Sequence, residues 1–598
     1  MTARVIMSNQ HVNGSGAHVT RITQWTPRPE WRDAIEVTGV RAPGSAAYGT
    51  SFGVAVVTIE WTRMCGPDTS GSRRALGWLA RMVAQEDVMR WVLPTALEEQ
   101  EHARGGQALV TVLGEGELTY AAASRQARQL ASHLFRLGIG PGDRVAVLLP
   151  NGLDFIRWWL GLGRLGAVIV PINTALTGEF LLHQLRDSGA RLLVTAGELT
   201  AAAREVADRV PGLRLVEPDG WEDAPEWQGP PPRASDTACV MYTSGTTGPS
   251  KGVVMPHAHC YLFGLGSVEG LGVAAADRYY VCMPLFHANG LFMQVGATIV
   301  AGATAVLRPR FSASAWLGDI RAGRCTVTNL LGSMTQFVLA QPEQAGDRDH
   351  HLRVVCPVPN PADHEAAWRE RFGVREVVSA YGMTEVNIPL YGRLGVSRPG
   401  AAGLALDRWF EVEIRDAETD LPVPADEVGE IMVRPKVPFG FMAGYVGLPD
   451  KTVEAWRNFW FHTGDSGRMD AGGWVTFVDR TKDCIRRRGE NISSFEVEMA
   501  VSRLDGVAEV AAFAVPAGPE GTEDEVMLAV VPAAGPAGDA LDGSTVATFA
   551  DSVLPRFARP RYVEMVEAIP KTPTEKVRKG ELRQRGVTAD TWDRETGR

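Results

Sequence analysis

The chain has only seven cysteines in 598 residues, and no two form a C-x-x-C pair. Such an odd, unpatterned set argues against a disulfide framework and fits thiols kept reduced in a cytosol. Long apolar runs are missing as well: no stretch approaches the ~20 residues of a membrane-spanning helix. The first residues lack the charged-then-apolar layout of a secretion signal, so the expected location is the cytoplasm. Positive charge is in deficit, with 60 Lys+Arg against 70 Asp+Glu and a formal net charge of −10. That balance argues against nucleic acid as a general partner. There is no internal repeat and no long low-complexity tract.

What the chain does have is bulk. Its 45% hydrophobic composition and its length allow about three to five domain-sized units. Residues 1–87 differ from the rest: Gly, Ser, Thr and Pro are frequent and periodic patterning is weak. The one apolar stretch there, Gly53-Val54-Ala55-Val56-Val57-Thr58-Ile59, has no evident partner. Three readings are open: a small appendage, a disordered tail, or an upstream stretch translated from a wrongly chosen start. The last two are preferred, with Met82 and Met89 as candidate starts. From residue 88 onward, helical and strand-like segments alternate. Residues 121–137 repeat apolar side chains at helical spacing, and Arg144-Val145-Ala146-Val147-Leu148-Leu149 reads as a buried strand. This predicts an α/β fold: a large domain over 88–480 with mostly parallel, covered sheets, and a small α+β domain over 481–598. In the small domain, Ser493-x-x-Glu496 forms a capping box for a helix over 495–504.

Gly161-Leu162-Gly163-Arg164-Leu165-Gly166 spells the dinucleotide pattern G-x-G-x-x-G. The pattern needs a strand before it and a helix after it. Here residues 154–160 look helical and 167–170 look like a strand, so these glycines are assigned to close packing at a helix end.

The most informative stretch is Tyr242-Thr243-Ser244-Gly245-Thr246-Thr247-Gly248-Pro249-Ser250-Lys251-Gly252. It follows a strand-like apolar segment, Ala238-Cys239-Val240-Met241. Glycines let backbone N–H groups converge, and hydroxyls add donors, which makes a cradle for a polyphosphate. It is not the Walker loop, because Lys251 is not followed by Ser or Thr. A flexible Ser/Thr/Gly turn is the plain alternative. Farther on, the strand-like Val377-Val378-Ser379-Ala380 leads into Tyr381-Gly382-Met383-Thr384-Glu385. This set suits a nucleotide site: Tyr381 to stack on adenine, Thr384 to bond the α-phosphate, and Glu385 to hold Mg²⁺ as a hard oxygen ligand. In Phe461-His462-Thr463-Gly464-Asp465, the carboxylate after a glycine turn suits two ribose hydroxyls.

In order and spacing these motifs resemble those of the adenylate-forming superfamily, which comprises acyl-CoA synthetases, luciferases and peptide-synthetase adenylation domains. Met283-Pro284-Leu285-Phe286-His287, Gly489-Glu490-Asn491-Ile492-Ser493-Ser494-Phe495-Glu496 and Pro573-Thr574-Glu575-Lys576 look most like acyl-CoA ligases of the crotonobetaine/carnitine–CoA ligase type. The resemblance covers roughly residues 88–585. It implies an ATP-dependent, Mg²⁺-assisted ligation of a carboxylic acid to CoA through a bound acyl-adenylate, with a mobile small domain joined by a hinge. It further implies Thr243, Ser244, Gly245, Thr246, Thr247, Gly248 and Lys251 as phosphate ligands, with Thr243 beside Glu385 at the metal. Arg480 resembles a second ribose or phosphate ligand, and Gly382 belongs to the adenosine motif.

Lys576 matches the lysine that bridges carboxylate and α-phosphate. Lys482 matches the hinge, and Gly489 lines the pantetheine channel, with Arg487 a candidate for CoA phosphates. His287, Ala288, Asn289, Gly332, Ser333, Tyr381 and Met383 are the candidate acyl pocket. None of these is acidic, so nothing there is suited to a quaternary ammonium. Two departures stand out: Glu575 replaces a glycine common in the superfamily, and Val355-Cys356-Pro357-Val358-Pro359-Asn360 stands where a Gly-Gly-Ala-type loop usually packs on adenine. The alternatives are transfer of the acyl-adenylate to a carrier protein and a non-catalytic nucleotide-binding paralogue. For the oligomer, monomer and homodimer are both open.

Overall fold

The structure is a computed structural model that describes residues 2–9, 35–40, 53–60, 88–243, 250–480, 485–487, 490–492, 494–516, 524–554, 556–571 and 577–597. The chain divides into two compact units, Met1–Asp87 and Val88–Arg598. In the first, the apolar stretch that lacked an evident partner is the central strand of an antiparallel sheet. Gly53–Glu60 pairs with Thr2–Asn9 on one side and Ile35–Val40 on the other. Both partners are short and mixed in polarity, which hid them from a search for apolar runs.

The second unit is built on two seven-stranded sheets. One runs Gly444–Tyr445, Lys251–Pro256, Thr237–Thr243, Val168–Pro171, Arg144–Leu148, Leu192–Thr195, Arg214–Val216. The other runs Glu376–Val377, Val354–Val358, Val327–Leu331, Arg278–Val281, Thr304–Leu307, Ala108–Val112, Gly116–Thr119. Most pairings are parallel; the exceptions lie at the Thr237–Thr243 and Lys251–Pro256 hairpin, at Gly444–Tyr445 and at Gly116–Thr119. Strands covered on both faces read as continuous apolar runs, as Arg144–Leu148 and Thr304–Leu307 do. Antiparallel sheets follow, and a smaller α+β domain closes the chain. Its main sheet orders Val507–Pro516, Asp524–Pro532, Tyr562–Met565 and Trp592–Asp593. The α/β expectation with a large and a small domain therefore holds. The capping box does not fall within view: Ser493 lies outside the described residues. Among the described residues, no helix is long and apolar enough to cross a membrane.

The predicted segment near 121–137 is the helix Tyr120–Arg136, capped by Thr119, whose hydroxyl accepts from Ala122 N at 3.2 Å. Its apolar face packs on the helix Leu153–Leu165. Of the G-x-G-x-x-G glycines, Gly161 sits at that contact, Gly163 faces Pro94 and Gly166 faces Pro141 and Pro232, and a strand, Val168–Pro171, follows them. A Cβ at Gly161 would lie 2.7 Å from Leu130 Cγ, and one at Gly163 would lie 3.2 Å from Pro94 Cγ. Close packing, not a nucleotide, explains them. Gly161→Ala should therefore destabilise the protein by about 1–3 kcal/mol through overpacking, and Gly163→Ala by less. Denaturant titration of the two variants measures the difference.

Candidate active site

Thr237–Thr243 and Lys251–Pro256 are adjacent antiparallel strands, with Thr243 opposite Lys251 in register. The hydroxyl- and glycine-rich stretch thus lies between two paired antiparallel strands, and the described element after it is a strand, not a helix. Ser244, Gly245, Thr246, Thr247 and Gly248 lie outside the described residues. The helix Gly178–Ser188 braces both legs of the hairpin. Tyr242 OH donates to Asp187 Oδ2 at 2.7 Å, and Ser250 is held by His183 Nε2 (2.9 Å, to its carbonyl) and Gln184 Nε2 (3.2 Å, to its hydroxyl).

The second motif sits at a corner. The segment 377–380 is not one strand, as the sequence suggested. Glu376–Val377 ends the parallel sheet, and Ala380–Met383 opens an antiparallel hairpin with Asn387–Tyr391. The break falls at Ser379, whose carbonyl accepts from Gly392 N across the new hairpin. Thr384 and Glu385 form the tip of that hairpin. Gly382 is required inside it, because a Cβ would lie 2.2 Å from Asn387 O. His259 pins the tip: its ring sits between Thr384 O (2.8 Å) and Gly440 O (2.7 Å). Burial pushes this ring down to about 4, although both carbonyls favour the protonated form.

The two hairpins meet at Glu385, which is 5% exposed. Thr243 Oγ1 donates to Glu385 Oε1 at 3.3 Å and Tyr445 OH donates to the same oxygen at 3.1 Å. Lys251 Nζ lies 4.7 Å above the Tyr445 ring. Burial raises the Glu385 carboxyl above its ordinary value, and its own backbone N–H, Tyr445, Lys251 and Thr243 offset this only in part. Among the described residues, no group of three or more His, Cys, Asp or Glu stands ready for a metal. The oxygens that meet at this point are the Glu385 carboxylate and the hydroxyls of Thr243 and Tyr445.

Asp465 lies beside this centre. Tyr381 OH donates to Asp465 Oδ2 at 2.8 Å, and the Tyr381 ring lies 6.1 Å from that of Phe477. Asp465 is also the cross-strand partner of Arg480, for which only the backbone is described. The pocket candidates come together at one edge of the second large sheet. Arg278–Val281 and Val327–Leu331 are neighbouring parallel strands. His287, Ala288 and Asn289 follow the first, and Gly332 and Ser333, the latter described by backbone alone, follow the second. Met383 belongs to the hairpin that packs on the next strand, Val354–Val358. This is the carboxyl edge of a parallel sheet, where α/β folds place their ligands.

The altered segment 355–360 is not a loop throughout: it runs along the strand Val354–Val358 and ends at Asn360, which is buried, with Nδ2 donating to Glu365 Oε2 at 2.8 Å. Lys482, Gly489 and Lys576 lie outside the described residues. Arg487 does not present a free phosphate ligand: its guanidinium pairs with Glu525 at 2.7 Å and donates to Arg559 O at 2.9 Å. Among the described residues, the helix Ser494–Val501 packs on the strand Val475–Arg480, and two side-chain pairs also join the small domain to the large one. Arg578 lies 6.0 Å over the Phe180 ring, and Arg503 pairs with Asp363 at 3.1 Å. The sequence reading missed Tyr445, His259 and Asn329. The first two carry no local signal, whereas Asn329 is a polar residue inside an apolar strand.

A model of the AMP-binding enzyme family matches residues 97–446, and one of the AMP-binding enzyme C-terminal domain matches residues 496–576. Relatives include crotonobetaine/carnitine–CoA ligases of Salmonella paratyphi B and Salmonella typhi. Each is 32% identical over 496 residues, covering 78% of this chain and 93% of the relative. Among solved structures, ATP-bound MatB from Rhodopseudomonas palustris superposes with a TM-score of 0.74 at 27% identity, covering 83% of this chain and 98% of that one. The o-succinylbenzoate CoA synthetase MenE from Bacillus subtilis, in complex with AMP, gives 0.72 at 25% identity, covering 82% and 98%.

The raised Glu385 carboxyl has a consequence for stability. The folded state binds this proton more tightly than the unfolded chain does. The resulting stabilisation is present below the ordinary value of 4.5 and is lost as pH rises through the raised folded value. Glu385→Gln should flatten that part of the stability–pH curve and should be at least as stable as the parent at neutral pH without nucleotide. Thermal midpoints taken between about pH 4 and 8 check this.

Proposed function

This chain belongs to the AMP-binding enzyme family and is an AMP-forming acid–thiol ligase that uses ATP, and on that premise we propose a two-step synthesis of an acyl-CoA by domains 88–480 and 481–598, with residues 1–87 outside the catalytic machinery. First, a carboxylate oxygen attacks the α-phosphorus of ATP. The acyl–phosphate bond forms as the bond to pyrophosphate breaks. Second, the sulfur of CoA attacks the acyl carbonyl, its thiol proton is lost, and AMP leaves.

The observation that carries this reading is the meeting of the two hairpins at Glu385. Thr243 to Gly248 and Lys251 form the phosphate cradle. Glu385 and Thr243 fit Mg²⁺, which takes one or two carboxylates and completes its shell with phosphate oxygens and water. When bound, the cation would offset phosphate charge and add to the partial compensation that Lys251 gives the buried carboxyl. Tyr381 and Gly382 hold the adenosine, Asp465 and Arg480 the ribose, and Thr384 the α-phosphate. His287, Ala288, Asn289, Gly332, Ser333 and Met383 surround the acyl group. Lys576 neutralises the converging charges of step one, Lys482 is the hinge, and Gly489 lines the thiol route of step two. Arg487 has no part in it, because it is engaged with Glu525. Support for Lys576 comes from a chain neighbour. Arg578 rests on Phe180, and the helix carrying Phe180 also holds Ser250 at the base of the phosphate hairpin.

Exchange of radiolabelled pyrophosphate into ATP, driven by a panel of carboxylic acids, tests step one; added CoA tests step two. Exchange with no acid would sink the reading. Lys576→Ala should slow adenylation by ~10²–10³ while leaving thioester formation from presynthesised acyl-adenylate nearly intact. Lys482→Pro should do the reverse, since proline fixes φ at a residue that must change it. Equal losses in both half-reactions would remove the step-specific roles.

A further inference from the structure

Asn329 stands in the strand Val327–Leu331, between Arg278–Val281 and Val354–Val358, with Cys356 opposite it in register. Side chains alternate along a strand. Val327 belongs to the core between the two large sheets and Leu330 to the core behind them. Asn329 therefore points with Val327 toward the space between the sheets. It is 1% exposed. Tyr279 OH donates to its Oδ1 at 2.5 Å, which sets the amide orientation. Burial pushes the Tyr279 phenol far up, so its hydroxyl keeps the proton it donates. The other end of the amide, Nδ2, has no partner among the described residues. Buried polar atoms are nearly always paired, and an exception calls for an explanation.

The position supplies one. Asn329 lies three residues before Gly332, roughly 10 Å along the strand beneath the edge where the acyl-pocket candidates gather. We infer that the Asn329 carboxamide is the specificity-determining group of the acyl pocket, donating from Nδ2 to a neutral oxygen on the distal part of the acid. This rests on the ligase reading above. The neutrality follows from the surroundings. Cys356 and Tyr391 act on Tyr279, and Ser267 bonds Tyr391 at 3.1 Å. All are uncharged, because burial holds the thiol and both phenols protonated. A quaternary ammonium or a second carboxylate would be buried there without a counter-charge. A keto, hydroxyl or ether oxygen needs only the donor that Asn329 offers. Betaines such as those named for the Salmonella relatives are thus poor substrates for this chain.

The test compares kcat/KM for AMP release with CoA across matched acids. The pairs are hexanoate with its ω-hydroxy and (ω−1)-oxo derivatives, and benzoate with its para-hydroxy and para-methoxy derivatives; crotonobetaine is included. A site built around a buried donor rejects the analogue that lacks the acceptor. At least one oxygenated acid should exceed its hydrocarbon parent by about tenfold or more. Asn329→Leu, close in volume, should bring that ratio to about one. That variant removes the acceptor to which the Tyr279 hydroxyl donates, so Asn329→Leu/Tyr279→Phe, which removes both polar ends, is measured beside it. A parental ratio near one for every pair, a ratio unchanged in both variants, or a preference for crotonobetaine overturns the inference and leaves the ligase reading standing. Absence of AMP release with every acid overturns both.

Discussion

One carboxylate organises the centre of this molecule. Glu385 is buried at the tip of one hairpin, and the hydroxyls that reach it come from two other segments, Thr243 and Tyr445. Tyr445 in turn lies in the short strand that pairs with Val253 and Val254, directly behind Lys251. Removing a carboxyl from water is costly, and hydrogen bonds to two hydroxyls do not repay it fully. The structure bears this cost at a place where three chain segments converge. In the proposed reaction the cost is recovered when a cation and phosphates arrive, so the apo site is held ready at the expense of local stability.

Everything around that point serves to hold it still. His259 anchors the hairpin tip from the helix that begins at the end of the phosphate-hairpin strand. The helix Gly178–Ser188 grips the hairpin through Asp187, His183 and Gln184. The acyl-pocket candidates lie at the carboxyl edge of the second sheet, so rigid strands deliver the groups from below and loops complete them from above. That division suits a site whose chemistry requires fixed charges and whose substrate varies with the pocket floor.

Much of this was legible in the sequence, for local reasons. Motifs such as Thr243–Lys251 and Tyr381–Glu385 are contiguous, and Gly382 answers to a backbone demand inside a few residues. Rejecting the dinucleotide pattern at Gly161 worked because its flanking periodicity was also local. Less legible were contacts made across long separations. Tyr445 lies sixty residues beyond Glu385 and has nothing around it that marks it as a partner. Arg487 read as a candidate for CoA phosphates, and only the fold places Glu525, from another strand, against it. The split of 377–380 depended on which sheet had a free edge, and no window of sequence contains that. Asn329 is the intermediate case: its polarity inside an apolar strand was visible, but its meaning required knowing which face it was on.

The joint between the domains fits the proposed two-step chemistry. The Arg503–Asp363 pair is half exposed on both sides, and such pairs contribute only about 0–1 kcal/mol. The Arg578–Phe180 contact is a cation over a ring that is itself 65% exposed, worth about 0.5–1 kcal/mol at such sites. By contrast, each domain has its own buried core, with Ile485, Val497, Leu528 and Val563 among the apolar residues of the small one. Strong cohesion within domains, with only weak side-chain pairs at these two points, is what the proposed rotation of the small domain requires. In that proposal, differences in substrate binding of a few kcal/mol would drive the rotation.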